Sequence, residues 1–143
     1  MSYVVDLVQE IVDQLNAGSF SQSFTAERKY YVDPDLSEIE TLQVTAAVSR
    51  QEITTYARAY EQFNITVDVA IQNKAGDDAT RDTMVDFAEE IIDFLRGKNM
   101  TPGAETFDWL RIENEPVYFP DHFREYGVFT TLIRCTYQIT RGR

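Results

Sequence analysis

The clearest pattern in the chain is strict alternation between Gln62 and Gln72. Phe63, Ile65, Val67, Val69 and Ile71 fall on one side, and Gln62, Asn64, Thr66, Asp68 and Gln72 on the other. A period of two over that length predicts a β-strand with one face on a core and the other polar. Thr41–Ser49 alternates in the same way, with Leu42, Val44, Ala46 and Val48 opposite Thr41, Gln43, Thr45 and Ser49. So does Val128–Thr140, where Phe129, Ile133, Cys135, Tyr137 and Ile139 oppose Thr130, Arg134, Thr136 and Gln138. Two weaker strands are predicted at Ser23–Val32, where Arg28 interrupts the apolar side, and at Thr106–Ile112. Arg50–Glu61 fits either a helical turn or a continuing hairpin, and its period leaves that open. Glu113–Tyr126 shows no period and is expected to be irregular.

Two stretches switch to helical spacing. In Ser2–Asn16 the apolar set is Val4, Val8, Ile11, Val12 and Leu15, with Ser2 placed to cap the start and Gly18 the end. From Asp78 to about Arg96, Met84, Phe87, Ala88, Ile91, Ile92 and Leu95 recur at i, i+3, i+4 and i+7, the strongest helical signal in the chain. Its outer face carries Asp82, Asp86, Glu89, Glu90 and Asp93, and Gly97 supplies the stop. The order is therefore α-β-β-β-α-β-β. Sequential strands mostly neighbour one another. The expected architecture is α+β: a two-layer sandwich of one mainly antiparallel sheet with two helices on one face, forming a single domain over residues 1–143.

Composition fits that picture. The chain has 143 residues, 43% of them hydrophobic, which is enough for one sizeable core. The formal net charge of −11 counts against free duplex binding, because that binding depends on cationic side chains displacing counterions from phosphates. One cysteine excludes an intrachain disulfide and a multi-cysteine zinc site within this chain. The first residues lack a basic region, a long apolar run and a small-residue cleavage site, so no signal peptide is expected. No apolar run reaches the length of a membrane span. The chain is expected to fold in the cytoplasm.

The stretch Ile112–Ile139 holds the only histidine and the only cysteine. A nucleophile needs a positioned base. Cys135 sits on the apolar side of a strand, where a thiol is an inert core residue. His122 has Asp121 and Glu125 nearby but no motif around it. P-loop, GxGxxG, GxSxG and HExxH patterns are all absent. The acidic loop of Asp33, Asp35, Glu38 and Glu40 lacks the glycine and the regular oxygen spacing of a calcium loop. No catalytic, cofactor or metal residues are assigned. Tyr56, Tyr60, Tyr118, Phe119, His122, Phe123 and Tyr126 are the candidate interface instead, because aromatics presented on a scaffold make docking elements.

Taken together, several stretches resemble the tail terminator (tail completion, or neck) proteins of long-tailed bacteriophages. They are the N-terminal helix with its small-residue turn before Phe20–Phe24, the loop Val32-Asp33-Pro34-Asp35-Leu36, LQVTAAVSRQEI, NITVDVAIQNK followed by DFAEEIIDFLRG, and IENEPVYFPDHFREYGVFTTLIRCTYQI. The resemblance implies a virion protein of the tail or neck, assembled in the host cytoplasm. It implies a homo-oligomeric ring, a hexamer, on the end of the tail tube. That ring would contact the tail tube protein and the head connector or stopper protein. DNA would pass through it without sequence-specific binding, and no membrane or cofactor is involved. An acidic lumen, lined by Asp33, Asp35, Glu38 and Glu40 or by the acidic face of the second helix, would repel phosphate and let the duplex slide. The alternatives are another neck or tail-tube component, a small α+β enzyme using His122 with Asp121 or Glu125, or a monomeric binding module beside Tyr56 and Tyr60.

Overall fold

Three strands of 15 residues each carry the sheet: β2 (Gln43–Ala57), β3 (Tyr60–Lys74) and β5 (Val128–Gly142). The structure is a computed structural model that describes residues 2–30 and 36–142; of Glu38, Tyr56, Ala57, Phe123 and Gly142 the backbone alone is described. The remaining elements are α1 (Tyr3–Ala17), β1 (Ala26–Arg28), a 3-10 turn at Leu36–Glu38, α2 (Asp78–Leu95), β4 (Asp108–Asn114) and α3 (Pro120–Tyr126). The sheet order is β1-β2-β3-β5-β4. The α+β class and the principal element order agree with the sequence pattern.

β3 is the axis. It pairs antiparallel with β2 on one side and with β5 on the other, the latter without a shift from Tyr60↔Gly142 to Lys74↔Val128. That register puts Phe63, Ile65, Val67 and Val69 beside Ile139, Tyr137, Cys135 and Ile133 on one face. All eight are buried, in one cluster with Leu7, Val8, Ile11 and Leu15 of α1 and Phe87, Ile91 and Leu95 of α2. Burial at this scale is the main stabilising term, about 1.5–3 kcal/mol for each large apolar side chain removed from water.

The helix ends follow local chemistry. The Ser2 hydroxyl accepts the Val5 N–H at 3.3 Å. Asp77 caps α2 by accepting the Thr80 N–H at 2.8 Å. Hydrogen bonds from Thr80 hold that carboxyl below its ordinary value. Gly97, at φ +72°, lies just past the end of α2 and turns the chain through a region that side chains resist. Gly18 is required for space: a Cβ there would lie 2.7 Å from the Phe20 ring. Phe20 in turn stands edge-on to Phe87 and Phe94, and Phe24 packs against Phe87 at 5.3 Å. This aromatic knot fastens the segment after α1 to α2.

The structure corrects the expected sheet in three places and decides a fourth that the period left open. β1 runs parallel to β2, so the sheet is mixed. β1 also spans only Ala26–Arg28, and the rest of the expected Ser23–Val32 strand is either not strand (23–25 and 29–30) or lies outside the described residues (31–32). Strand formation there stops where Arg28 breaks the apolar alternation. Arg50–Glu61 continues the hairpin: β2 reaches Ala57, turns over two residues and returns as β3, with bulges at Ser49 and Tyr56. Finally, Glu113–Tyr126 is largely ordered. β4 extends to Asn114, and a short helix, α3, covers Pro120–Tyr126 with Pro120 at its start, where its missing N–H costs nothing. Among the described residues no helix is long and apolar enough to cross a membrane.

Phe87 is fully buried at the centre of the knot. Phe87→Ala is expected to cost about 3–5 kcal/mol, read as a lower urea midpoint with an unchanged slope.

Candidate functional site

The corner after β4 is stitched to β5 by its own backbone and side chains. The Asn114 side-chain amide donates to Thr131 Oγ1 and to the Leu132 carbonyl, each at 2.8 Å. The Pro116 carbonyl accepts the Leu132 N–H at 3.3 Å, and the Thr130 carbonyl accepts the Phe119 N–H at 3.2 Å. His122 closes the corner. Its Nδ1 lies 2.8 Å from Thr130 Oγ1, and its ring stacks on Phe119 with centroids 4.7 Å apart. Both sides of the imidazole environment are thus used to hold α3 on β5.

His122 and Cys135 cannot act together. Thr130, which His122 contacts, and Cys135 are five residues apart on β5 and so point to opposite faces of the sheet. Cys135 is completely buried in the core, and burial pushes its thiol up to about 12. The two therefore do not form a nucleophile–base pair with each other. Among the described residues no group of three or more His, Cys, Asp or Glu side chains is placed to hold a metal. A cavity of about 710 Å³ opens between β1 and residues 41–45. Its charged lining is already engaged: Lys29 pairs with Glu27 at 3.3 Å, and Arg28 sits over the Tyr30 ring.

The face of the sheet away from the core carries a ladder of polar pairs. The register brings Asn64 beside Gln138, Thr66 beside Thr136 and Asp68 beside Arg134. Each pair is bonded: Gln138 donates to Asn64 at 3.2 Å, the two threonine hydroxyls lie 3.2 Å apart, and Arg134 donates to Asp68 at 2.9 Å. Asp68 is buried, and its carboxylate holds the Arg134 guanidinium above its ordinary value. These residues were legible only as the polar side of an alternating strand. Their pairing follows from register, which a single strand does not reveal.

The candidate interface residues fall into two groups. Tyr60, half exposed, and the backbone of Tyr56 lie at the tip of the β2–β3 hairpin. Tyr118, Phe119, His122, Tyr126 and the backbone of Phe123 lie around α3, at the opposite end of β5. Tyr118 and Tyr126 are exposed, while Phe119 and His122 are half-buried against the sheet. At roughly 3.4 Å per residue along the strands the two groups are about 40 Å apart. The expectation that these aromatics sit on a loop holds for Tyr118 and Phe119, whereas His122, Phe123 and Tyr126 sit on α3. Asp33 and Asp35 of the expected acidic lining lie outside the described residues, and Glu38 is placed by its backbone in the 3-10 turn, which packs on α3. Glu40 is exposed and pairs with Lys74 at 3.4 Å.

No family model matches the sequence, and no curated protein matches it. One chain of a solved structure described as "Virion of native gene transfer agent (GTA) particle" is similar in fold, with a TM-score of 0.51 and 13% identity over 99% of this chain and 100% of that one. At that identity the likeness is one of fold, and it extends over both chains from end to end.

Because the thiol is buried and stays protonated up to about pH 12, a thiol reagent at pH 8 is expected to leave the native protein untouched. It should modify one equivalent after denaturation. Fast native labelling, followed by absorbance, would show a surface thiol instead.

Proposed function

We propose that this chain is a structural protein of a phage-like virion, and more specifically a terminator ring at the head-proximal end of a tail tube. The observation that carries this reading is the whole-chain fold likeness to a chain of a gene transfer agent virion. The residues quoted above, which resemble tail terminators, point the same way. In this reading the protein acts by shape and contact rather than by catalysis. Its ring stops tube growth and offers a surface to the head connector or stopper. Exposed Tyr60 at the hairpin tip and exposed Tyr118 and Tyr126 around α3 lie at opposite ends of the sheet, which suits a subunit with unlike neighbours above and below. The acidic residues, Glu40 and the exposed Asp82, Asp86, Glu89 and Asp93 of α2 among them, discourage phosphate from sticking as DNA passes.

Native mass spectrometry of the purified chain, alone and with tail tubes, tests the ring. A closed homo-oligomer, or a monomer that rings on tubes, is the expected result. A monomer unaffected by tubes would overturn the reading. His122→Ala is expected to leave tail assembly largely intact, because its contacts with Thr130 and Phe119 hold α3 locally and the exposed Tyr118 and Tyr126 remain. Loss of all assembly with the fold retained would reopen the enzymatic alternative.

A further inference from the structure

The sheet has one edge stretch that is capped and two that are not. On β1, the Asn16 side chain acts as a short stand-in for a strand: its amide donates to the Ala26 carbonyl at 3.1 Å, and its oxygen accepts the Ala26 N–H at 2.7 Å. β1 itself covers β2 only at Val44–Ala46. Beyond it, among the described residues, no strand pairs with the outer side of β2 from Arg50 onward. β4 is the other end of the sheet, and past Trp109, which Asn99 caps at 2.8 Å, its outer side is also unpaired by any strand among the described residues. An uncovered edge is a template for a further strand.

The two edges fit each other in sense, charge and apolar character. β2, β3, β5 and β4 are successively antiparallel, so β2 and β4 run in opposite directions. A second copy in the same orientation therefore presents its β4 antiparallel to β2, and the sheet continues unbroken. Each edge carries the same sequence device, Arg-x-Glu, paired within the strand: Arg50 with Glu52 at 2.6 Å and Arg111 with Glu113 at 3.4 Å. Both pairs are about half exposed and point to the polar face, since Arg50 and Glu52 register with Thr66 and Asn64, and Arg111 and Glu113 with Thr136 and Arg134. Two Arg-x-Glu strands laid antiparallel put each arginine opposite a glutamate. With Arg50 facing Glu113 and Glu52 facing Arg111, Ile53 falls opposite Leu110. These are the large apolar side chains most exposed on each edge, at 56% and 39%. Leu110 is the extra residue of the β4 bulge.

We infer that the β2 edge from Arg50 to Ile53 docks on β4, Leu110–Glu113, of a second copy of this chain, so that neighbouring subunits share one antiparallel sheet. The contact is heterologous: it uses two different patches and closes by rotation. The inference names the subunit interface of the ring proposed above and rests on that reading.

Disulfide trapping in the full chain tests it. Oxidation of the Ile53→Cys, Leu110→Cys double variant is expected to give a covalent ladder ending at the closed-ring size. Either single variant should give no ladder, and Cys135 stays buried and silent. Reversing one edge, Arg50→Glu with Glu52→Arg, sets like charges opposite each other and should cut ladder yield about tenfold. Adding Arg111→Glu with Glu113→Arg should restore it. All four side chains are half exposed, so a cooperative melting curve is expected and confirms that each variant folds, with a small loss for Glu113→Arg, which faces Arg134. No ladder from the double-cysteine variant, or a ladder indifferent to reversal, overturns the edge pairing. Closed rings by native mass spectrometry without a ladder would leave the ring standing and remove this interface. A ladder running past any closed size would support the edge pairing and overturn the ring.

Discussion

Everything in this molecule depends on the unshifted pairing of β3 with β5. Because strand side chains alternate, one register decides two surfaces at once. It sets Ile65 beside Tyr137 and Val67 beside Cys135 under the helices, and it sets Asn64 beside Gln138 and Asp68 beside Arg134 on the far face. A slip of β3 by one residue would turn Asp68 into the core, away from Arg134, and expose the isoleucines of β3. The buried, charge-paired Asp68 makes such a slip especially costly, since an unpaired carboxylate in the core would face a large desolvation penalty. Register is thus enforced from both faces.

The polar ladder also shapes where charge sits. Asp68 and Arg134 cancel, as do the Arg-x-Glu pairs on β2 and β4. The outer face of α2 has no such compensation over Asp82, Asp86 and Glu89. Part of the net charge of −11 thus lies on α2, away from the sheet's polar face. Such a face is hydrophilic without being strongly charged.

Where the sequence was readable, one physical signal dominated. The alternation of β2, β3 and β5 and the apolar stripes of α1 and α2 survive because one side of each element must be dry, and their faces came out as the pattern predicted. The failures cluster where that signal is weak. β1 is three residues long and owes its place to the Asn16 clasp, a contact ten residues away that no periodicity encodes. α3 is a single short helix whose anchoring group, His122, reads in sequence as a lone polar residue and in space as a pin between Phe119 and Thr130. The Arg-x-Glu repeats on β2 and β4 were visible as charges but carried no meaning until the sheet order made both strands edges. The cluster of interface aromatics was legible as composition and not as position, because strand length alone separates Tyr60 from Tyr118.

The order of strands has a consequence for synthesis. β5 is the last element of the sequence, yet it lies inside the sheet, between β3 and β4. The β2–β3 hairpin closes over a two-residue turn and can form as soon as it is made, on a timescale of microseconds. It then waits, with the inner side of β3 open and its isoleucines half covered, until residues 128–142 arrive. Ribosomes add about 5–20 residues per second, so that wait lasts seconds, far longer than the hairpin's own formation. During it, β3 is the strand most exposed to a wrong partner. The native sheet is completed by filling an inner lane last.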